Sequence, residues 1–239
     1  MKTILKKIAV SLVLVAAMLP MTSQAQNKFT VNGDITFVSD YVWRGADQFS
    51  GFSVQPSLTL GYAGFSLNVW GNQTLSKWED GNGAKEFDIN LSYSYKNFSV
   101  TVSDYWWAGS NMPYGHYKND HYFEGTLAYS FGESFPLALS WSTMFAGGDK
   151  DENGDLMASS YISAAYPISL PADITLTPSV GFTPWKGMYW DKAAFTDITL
   201  TASKDIKVTR HFSIPVFVQA VVAPVYDRTY ILGGISFGF

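Results

Sequence analysis

Residues 29–44, FTVNGDITFVSDYVWR, alternate between two kinds of side chain. The mostly apolar set is Phe29, Val31, Gly33, Ile35, Phe37, Ser39, Tyr41 and Trp43, and the more polar set is Thr30, Asn32, Asp34, Thr36, Val38, Asp40, Val42 and Arg44. Successive side chains of a β-strand point to opposite faces, so a period of two over this length indicates a strand. The stretch therefore predicts a strand with one apolar and one polar face.

The same alternation recurs to the end of the chain. Further strands are expected at residues 52–62, 65–72, 86–95, 98–107, 121–131, 137–145, 159–166, 174–183, 195–203, 212–222 and 228–239. With the first, they make about twelve, an even number. The fold class is all-β, and the expected architecture is an antiparallel up-and-down barrel.

The connections between these strands alternate between short and long. Short turns are expected at residues 63–64, 96–97, 132–136, 167–173 and 204–207, and long loops at 46–51, 73–85, 108–120, 146–158, 184–194 and 223–227. Outer-membrane barrels have short periplasmic turns and longer extracellular loops. The pattern predicts a transmembrane barrel with both chain ends on the periplasmic side.

Alternation alone also fits a soluble sandwich or a lipocalin-like barrel, which hides its apolar face inside. Here the polar face is mostly Ser, Thr, Asn and Gly, and charged residues make up 15% of the chain, against about 25% in a soluble domain. Aromatic residues, at 16%, cluster near strand ends, as membrane-interface girdles do. They are Tyr41, Trp43, Tyr62, Tyr93, Tyr95, Trp106, Tyr129, Phe131 and Tyr166. The apolar face is therefore predicted to meet lipid.

Residues 1–25 have the pattern of an export signal. Lys2, Lys6 and Lys7 precede an apolar run at residues 8–19, and Ala25 ends a small-residue cleavage pattern. A transmembrane anchor is the alternative, but this run is well short of the roughly 20 apolar residues that a spanning helix needs. We expect a signal peptide at 1–25 and one barrel domain at 26–239.

The net charge and the terminal residue of the chain indicate which partners to expect. The formal net charge is -4, and removing the three signal lysines gives about -7 (-4 minus 3), which argues against a nucleic-acid partner. The expected partners are outer-membrane lipid, lipopolysaccharide and the barrel-assembly machinery, for which the terminal Phe239 resembles a recognition signal. The chain has no Cys, so disulfides cannot contribute to its stability.

Several segments resemble the TorF-type putative porins. The clearest are residues 39–45, SDYVWRG, then Pro56, residues 62–65 and residues 69–72. Residues 86–93 resemble the next acidic strand of that family, and looser similarity follows at 160–162 with 166–167 and at 234–237. The resemblance implies a small outer-membrane channel, without catalytic residues.

If the polar face lines the interior, it places acids and aromatic rings there. The acids are Asp34, Asp40, Glu86, Asp88, Glu124 and Asp197, against Arg44 and Arg228; the rings are Trp70, Tyr105, Trp107, Tyr122, Tyr161 and Tyr230. A negative interior favours cations over anions. Two alternatives stay open: the acids pair with the arginines in a filled, structural interior, and the rings either plug the barrel or form a path for a sugar or another flat solute.

Residues 149–155 resemble the front half of a calcium loop. Asp149, Asp151, Asn153 and Asp155 supply oxygens at alternating positions, but Ser160 stands where the closing Glu is expected. A solvated acidic loop is the simpler interpretation, and the alternatives are weak calcium binding or a cation bridge to lipopolysaccharide phosphates.

No motif for a nucleophile accompanies the three histidines, His116, His121 and His211, which we interpret as exposed loop or interface residues. No enzyme activity and no cofactor are expected. The function predicted from the sequence is a passive channel for small hydrophilic solutes with a preference for cations. The alternative is a closed barrel that binds a surface partner or has a structural role, and an outer-membrane hydrolase ranks below both.

Overall fold

The structure is a computed structural model that describes residues 28–49, 51–75, 85–108, 114–118, 120–210 and 212–238. The expected signal peptide, Phe239 and His211 lie outside the described residues. Fifteen strands and two short 3-10 turns form this part of the chain. Among the described residues, no helix has the length and apolarity to cross a membrane.

The strands follow one another along the chain with few interruptions. Their bounds are β1 Thr30–Val38, β2 Tyr41–Trp43, β3 Ala46–Phe49, β4 Ser53–Tyr62, β5 Phe65–Thr74, β6 Lys85–Tyr95, β7 Phe98–Ala108, β8 His121–Ser130, β9 Ala138–Gly147, β10 Ser160–Ala165, β11 Ile168–Leu170, β12 Ile174–Thr183, β13 Ala194–Lys207, β14 Ser213–Ala223 and β15 Arg228–Gly238. The 3-10 turns are Pro171–Asp173 and Pro224–Tyr226.

The large sheet closes on itself. Its order is β10-β9-β8-β7-β6-β5-β4-β1-β15-β14-β13-β12-β11, every pairing is antiparallel, and β10 also pairs with β12. Strands β10 and β11 share one register on β12, since Ile162 faces Phe182 and Ile168 faces Leu176. They are two parts of a single barrel strand, so the predicted twelve-stranded antiparallel barrel is confirmed.

The two faces of the barrel have opposite polarity. Large apolar side chains are exposed on the outside, as Leu91 (53%) and Ile231 (78%) show. The inside is polar, and its hydroxyl and amide groups join neighbouring strands by hydrogen bonds such as Thr36 Oγ1 to Ser236 Oγ at 2.8 Å. The predicted sidedness is confirmed. Since an exposed apolar surface of this extent needs an apolar surrounding, the outside is suited to lipid.

Several short interior bonds of this kind tie adjacent strands. They are Gln55 to Asn72 (3.0 Å), Thr126 to Ser142 (2.8 Å), Ser140 to Ser163 (2.8 Å) and Gln219 to Thr201 (2.9 Å). Buried polar groups that are paired in this way avoid the cost of unsatisfied hydrogen-bonding groups. They stabilise an interior that has little apolar packing.

The prediction of one strand across residues 29–44 is wrong beyond Val38. The chain turns inward at Asp40, whose Oδ1 accepts the backbone N–H groups of Tyr41 (2.8 Å) and Gly51 (3.1 Å). Strands β2 and β3 then pair as a separate hairpin, so residues 46–51, expected as an outer loop, are largely part of it. We call residues 41–49 the inner hairpin. The packing of its aromatic side chains on the barrel interior stabilises this course.

The inner hairpin also changes the expected aromatic girdle. Tyr41 is buried and its ring lies 5.7 Å from that of Trp70, and Trp43 packs on interior rings, so neither residue belongs to the girdle. Five other predicted members are exposed on the outer surface: Tyr62, Tyr93, Tyr95, Tyr129 and Phe131.

Three connections are shorter than expected. Part of the predicted turn at 167–173 is β11, which keeps its register with β12, and the turn is Pro171–Asp173. The predicted turn at 204–207 is strand, since β13 pairs with β14 as far as Lys207. The loop expected at 223–227 contains only Pro224–Tyr226 and Asp227 between β14 and β15. Ladder hydrogen bonds extend the strands into these polar ends.

Candidate functional site: the barrel interior

The inner hairpin joins two different walls of the barrel. On one side, Val42 packs with Val221 of β14 and Leu232 of β15 in a small apolar cluster. On the other side, Arg44 at the turn of the hairpin contacts Glu124 of β8. The hairpin therefore lies across the interior and defines its most crowded region.

The turn at the tip of the hairpin requires glycine. Gly45 has φ +84°, and a Cβ on it would lie 2.5 Å from the backbone oxygen of Thr196 in β13. An L-residue is strained at this φ, and a side chain would also overlap with the strand. Gly45 thus allows the hairpin to approach the wall closely enough to deliver Arg44.

Arg44 and Glu124 form a two-pronged ion pair. The Nη1 atom of Arg44 donates to Oε2 at 2.6 Å and Nη2 donates to Oε1 at 2.9 Å. The Glu124 side chain is 1% exposed and that of Arg44 is 10% exposed. Glu124 accepts a further hydrogen bond from the Tyr105 hydroxyl at 3.0 Å. Such a buried pair is stable only when its geometry is good and its remaining lone pairs are occupied, and both conditions hold here.

Aromatic rings surround the guanidinium group. The Cζ atom of Arg44 lies 4.4 Å from the ring centroid of Trp43, 4.5 Å from that of Tyr161 and 5.1 Å from that of Tyr189. Arg44 also donates to the Tyr189 hydroxyl, which lies 3.4 Å from Glu124 Oε2. The carboxylate, the hydroxyl and the ring faces together form a cage around the guanidinium group of Arg44, which we call the cation cage.

A second carboxylate lies next to the cage. Tyr161 donates its hydroxyl hydrogen to Asp197 of β13, with O–O distances of 3.1 and 3.3 Å to the two oxygens. Thr196 Oγ1 donates to Asp197 at 2.9 Å. Tyr161 therefore connects the cation cage to an acid on the neighbouring wall.

A third group of acids lies on β6. Glu86 and Asp88 face the interior and are 5% and 6% exposed. Tyr41 and Trp107 hydrogen-bond Glu86, but Glu86 Oε2 and Asp88 Oδ1 are buried without a hydrogen-bond partner in the described structure. Across the described residues, neither acid takes part in a salt bridge. Unlike Glu124, this pair is not neutralised by a basic side chain of the described chain.

Several of the other predicted interior residues lie on inner faces of the barrel, and two do not. Trp70, Tyr105 and Tyr122 lie on inner faces; the Trp107 ring lies 5.7 Å from that of Tyr105 and 4.5 Å from that of Tyr122. The Asp34 carboxylate accepts from Thr36 at 3.3 Å, also on the inner face. Other expected members lie elsewhere: Asp40 anchors the base of the hairpin, and Arg228 is exposed.

Tyr189 contributes to the cage although the sequence did not indicate it. It lies between β12 and β13, within a loop expected to be extracellular, and it is 4% exposed. Its ring is also 5.7 Å from that of Trp43. Loop residues have no fixed period, so no pattern signalled that this one folds into the interior.

In the acidic loop at 149–155, the side chains of Asp149 and Asp151 accept hydrogen bonds from nearby backbone N–H groups. Asp151 Oδ1 accepts the N–H groups of Asp155 (3.0 Å) and Asn153 (2.9 Å), and these bonds lower the pKa of Asp151. Asp149 accepts from the backbone N–H (2.8 Å) and hydroxyl (2.5 Å) of Ser159. Among the described residues, no group of three or more His, Asp or Glu side chains is arranged to hold a metal ion.

His121 is buried rather than exposed, which corrects the interpretation from sequence. On the outer side of β8, its Nδ1 lies 2.6 Å from Asp104 Oδ1 and its Nε2 lies 2.5 Å from the Tyr114 carbonyl oxygen. The Tyr117 ring stacks on it at 3.9 Å. These contacts fasten residues 114–118 to the barrel wall. His116 is an exposed loop residue that pairs with Asp120 at 3.2 Å.

Comparison with solved structures identifies similar barrels. The chain matches the structure of KdgM porin with a TM-score of 0.51 and 14% identity, covering 87% of this chain and 98% of that one. The same porin in complex with disordered oligogalacturonate matches with a TM-score of 0.50, 14% identity and the same coverage. An outer-membrane channel from Pseudomonas putida F1 matches with a TM-score of 0.43 and 15% identity, over 87% of this chain and 94% of that one.

At these identities the likeness to KdgM porin establishes the fold alone. A search of curated proteins finds no match. A family model, described as a bacterial protein of unknown function, matches residues 22–228. The barrel chain therefore belongs to that bacterial family, Gcw_chp.

Proposed function

We propose that this protein is a narrow, passive outer-membrane channel for small hydrophilic solutes and that it prefers cations. The observation that carries the proposal is the charge of the enclosed surface. Inside a closed barrel with an apolar exterior, Glu86, Asp88 and Asp197 form no salt bridge with a basic side chain of the described residues. Arg44 is already paired with Glu124.

This charge distribution favours cations for an electrostatic reason. A confined passage with low-dielectric walls focuses the field of its charges and raises the local concentration of counter-ions. Rings of Asp and Glu select cations in other pores. The opposite charges of Arg44 and Glu124 largely cancel for an ion elsewhere in the passage. The excess negative charge therefore comes from the remaining acids.

The inner hairpin supplies the constriction of the proposed channel. Trp43 packs 5.5 Å from Trp107 and 5.7 Å from Tyr189, measured between ring centroids, so aromatic rings crowd the interior where the hairpin crosses it. We expect a passage beside them to admit small solutes rather than large ones. The resemblance to TorF-type porins agrees with this function, and the KdgM-like fold is compatible with it.

Single-channel recording tests the proposal. Purified protein in planar bilayers, with a KCl gradient, is expected to give discrete conductance steps and a reversal potential of the sign set by K⁺. Neutralising the unpaired acids, in a Glu86→Gln/Asp88→Asn variant, is expected to move the reversal potential toward zero. Reversal with the sign of Cl⁻ would overturn the cation preference.

A second candidate function is favoured by the same hairpin. A closed barrel that binds a partner through its loops, or has a structural role, fits an interior crossed by the hairpin and its aromatic rings. Bilayer insertions of verified, folded protein that stay silent would favour this candidate. The proposed location in the outer membrane, with lipopolysaccharide and the assembly machinery as partners, holds for both candidates.

A further inference from the structure

The unpaired acids of β6 lie in a patch with other unsatisfied polar atoms. In the barrel ladder, Asp88 is flanked by Trp70 of β5 and Tyr105 of β7, and Glu86 is flanked by Asn72 and Trp107. Four buried side-chain atoms here have no hydrogen-bond partner in the described structure: Glu86 Oε2, Asp88 Oδ1, Trp70 Nε1 and Asn72 Nδ2. Native interiors leave few such atoms, and each costs free energy unless a bound group satisfies it.

The chemistry of the four atoms is complementary to one kind of solute. Two are carboxylate oxygens, which accept hydrogen bonds and attract positive charge, and two are N–H groups, which donate. Three other carboxylates, those of Glu86, Asp104 and Glu124, repel a negative charge on Asp88. The patch therefore needs a cation that also carries a hydrogen-bond acceptor.

Aromatic rings complete the surroundings of the patch. Tyr41 of the inner hairpin packs 5.7 Å from Trp70 between ring centroids, and Trp43 packs 5.5 Å from Trp107. Ring faces attract cationic side chains and ligand cations that lie over them. The cation cage provides a precedent in the same interior, because there one carboxylate and three rings hold a guanidinium group.

We propose that Glu86 and Asp88, with Trp70 and Asn72, form a binding site for a small organic ammonium compound that carries a hydroxyl or carbonyl group beside its charge. The ammonium group donates to the two carboxylates, and the neighbouring oxygen accepts from the indole or amide N–H. This inference deepens the proposed channel function by naming a class of solute, and it rests on that function only for the route of entry.

Binding to the purified, detergent-folded protein tests the site without requiring conduction. The probe is 2-aminoethanol, titrated by isothermal calorimetry in low salt, and the control solute is 1,2-ethanediol, which has a neutral hydroxyl in place of the ammonium group. Saturable binding is expected for 2-aminoethanol alone. Asp88→Asn is expected to weaken it about tenfold to a hundredfold, the usual range for losing a charge-assisted hydrogen bond.

Matched variants show whether the acids themselves are responsible. Glu86→Gln should weaken binding in the same way, whereas Glu133→Gln, at an exposed acid in a turn, should leave it unchanged. Folding of each variant is checked by tryptophan fluorescence and by heat-dependent migration in gels.

Three results would overturn the site: no saturable binding, equal binding of the diol, or full affinity in Asp88→Asn. Competition by K⁺ with the same affinity as 2-aminoethanol would also do so, since the acids would then hold any cation. Binding without conductance would contradict the channel function and leave the site. Conductance without binding would contradict the site and leave the channel function.

Discussion

Two acidic regions on the same inner wall of this barrel differ in how their charge is compensated. Glu124 on β8 receives two hydrogen bonds from Arg44 and one from Tyr105. Glu86 and Asp88 on β6 are nearly as buried, yet each keeps an oxygen without a partner. The difference comes from the reach of the inner hairpin, which delivers its cation to β8.

The paired acid is expected to contribute to stability, and the unpaired acids to function. A buried acid that is fully paired contributes to a defined structure, and removing one partner leaves a costly isolated charge. A buried acid that is not paired costs stability and tends to mark a functional site. The two regions should therefore respond in opposite directions when their carboxylates are neutralised.

The largest effect is expected at Glu124. Glu124→Gln leaves the Arg44 guanidinium buried without its counter-charge and should reduce the free energy of unfolding by roughly 3 kcal/mol. Urea unfolding in detergent, followed by tryptophan fluorescence, measures the change. The double variant Arg44→Met/Glu124→Gln should recover part of the loss, and a double variant as unstable as the sum of its single variants would contradict a specific pair.

A smaller loss is expected when the hairpin is displaced and both charges are kept. Gly45→Ala places a methyl group against the Thr196 oxygen at a φ of +84° and should cost roughly 2 kcal/mol. Gly154→Ala is the matched control, because Gly154 has φ +85° and open space around it. Equal unfolding free energies for the two variants would show that the close approach at Gly45 has no energetic weight.

The hydroxyl group of Tyr189 should make a smaller contribution to the paired region. Tyr189→Phe removes the hydrogen bonds to Arg44 and Glu124 but keeps the ring beside the guanidinium. We expect a loss of about 1 kcal/mol, the usual net worth of a hydrogen bond. The same urea titration measures it, and a loss as large as that of Glu124→Gln would mean that Tyr189 is the main anchor.

The smallest change in stability, with the opposite sign, is expected at the unpaired acids. Asp88→Asn removes a desolvated charge next to Glu86 and should leave the protein unchanged or up to about 1 kcal/mol more stable. The same variant should lower the K⁺ to Cl⁻ permeability ratio in planar bilayers. Marked destabilisation would indicate a partner for Asp88 and would remove the contrast with Glu124.

The strands and their sidedness were predictable because alternation at a period of two depends only on local side-chain direction. The same alternation predicts that the side chains of Glu86, Asp88, Glu124 and Asp197 lie on the inner face of the barrel. The strand ends at 167–173 and 204–207 were not predictable, because ladder hydrogen bonds with a neighbouring strand override the weak strand preference of polar and proline-containing segments.

The inner hairpin was missed because its residues continue the alternation of β1 without a gap. Two turn signals were present in the sequence: Ser39-Asp40, where an Asp side chain accepts backbone N–H groups, and Arg44-Gly45, where glycine permits a positive φ. The pairing of Arg44 with Glu124 depends on where the hairpin docks. That docking is a tertiary property, so local patterns carry no record of it.

In this barrel, the apolar face of each strand meets lipid and the polar face encloses the interior. Because the chain has no native Cys, a fluorophore can be attached at one site, either Leu91→Cys on the outer face or Ser92→Cys on the inner face. In bilayers that contain nitroxide-labelled lipids, we predict strong quenching at position 91 and little at position 92. Stronger quenching at position 92 than at position 91 would contradict this sidedness.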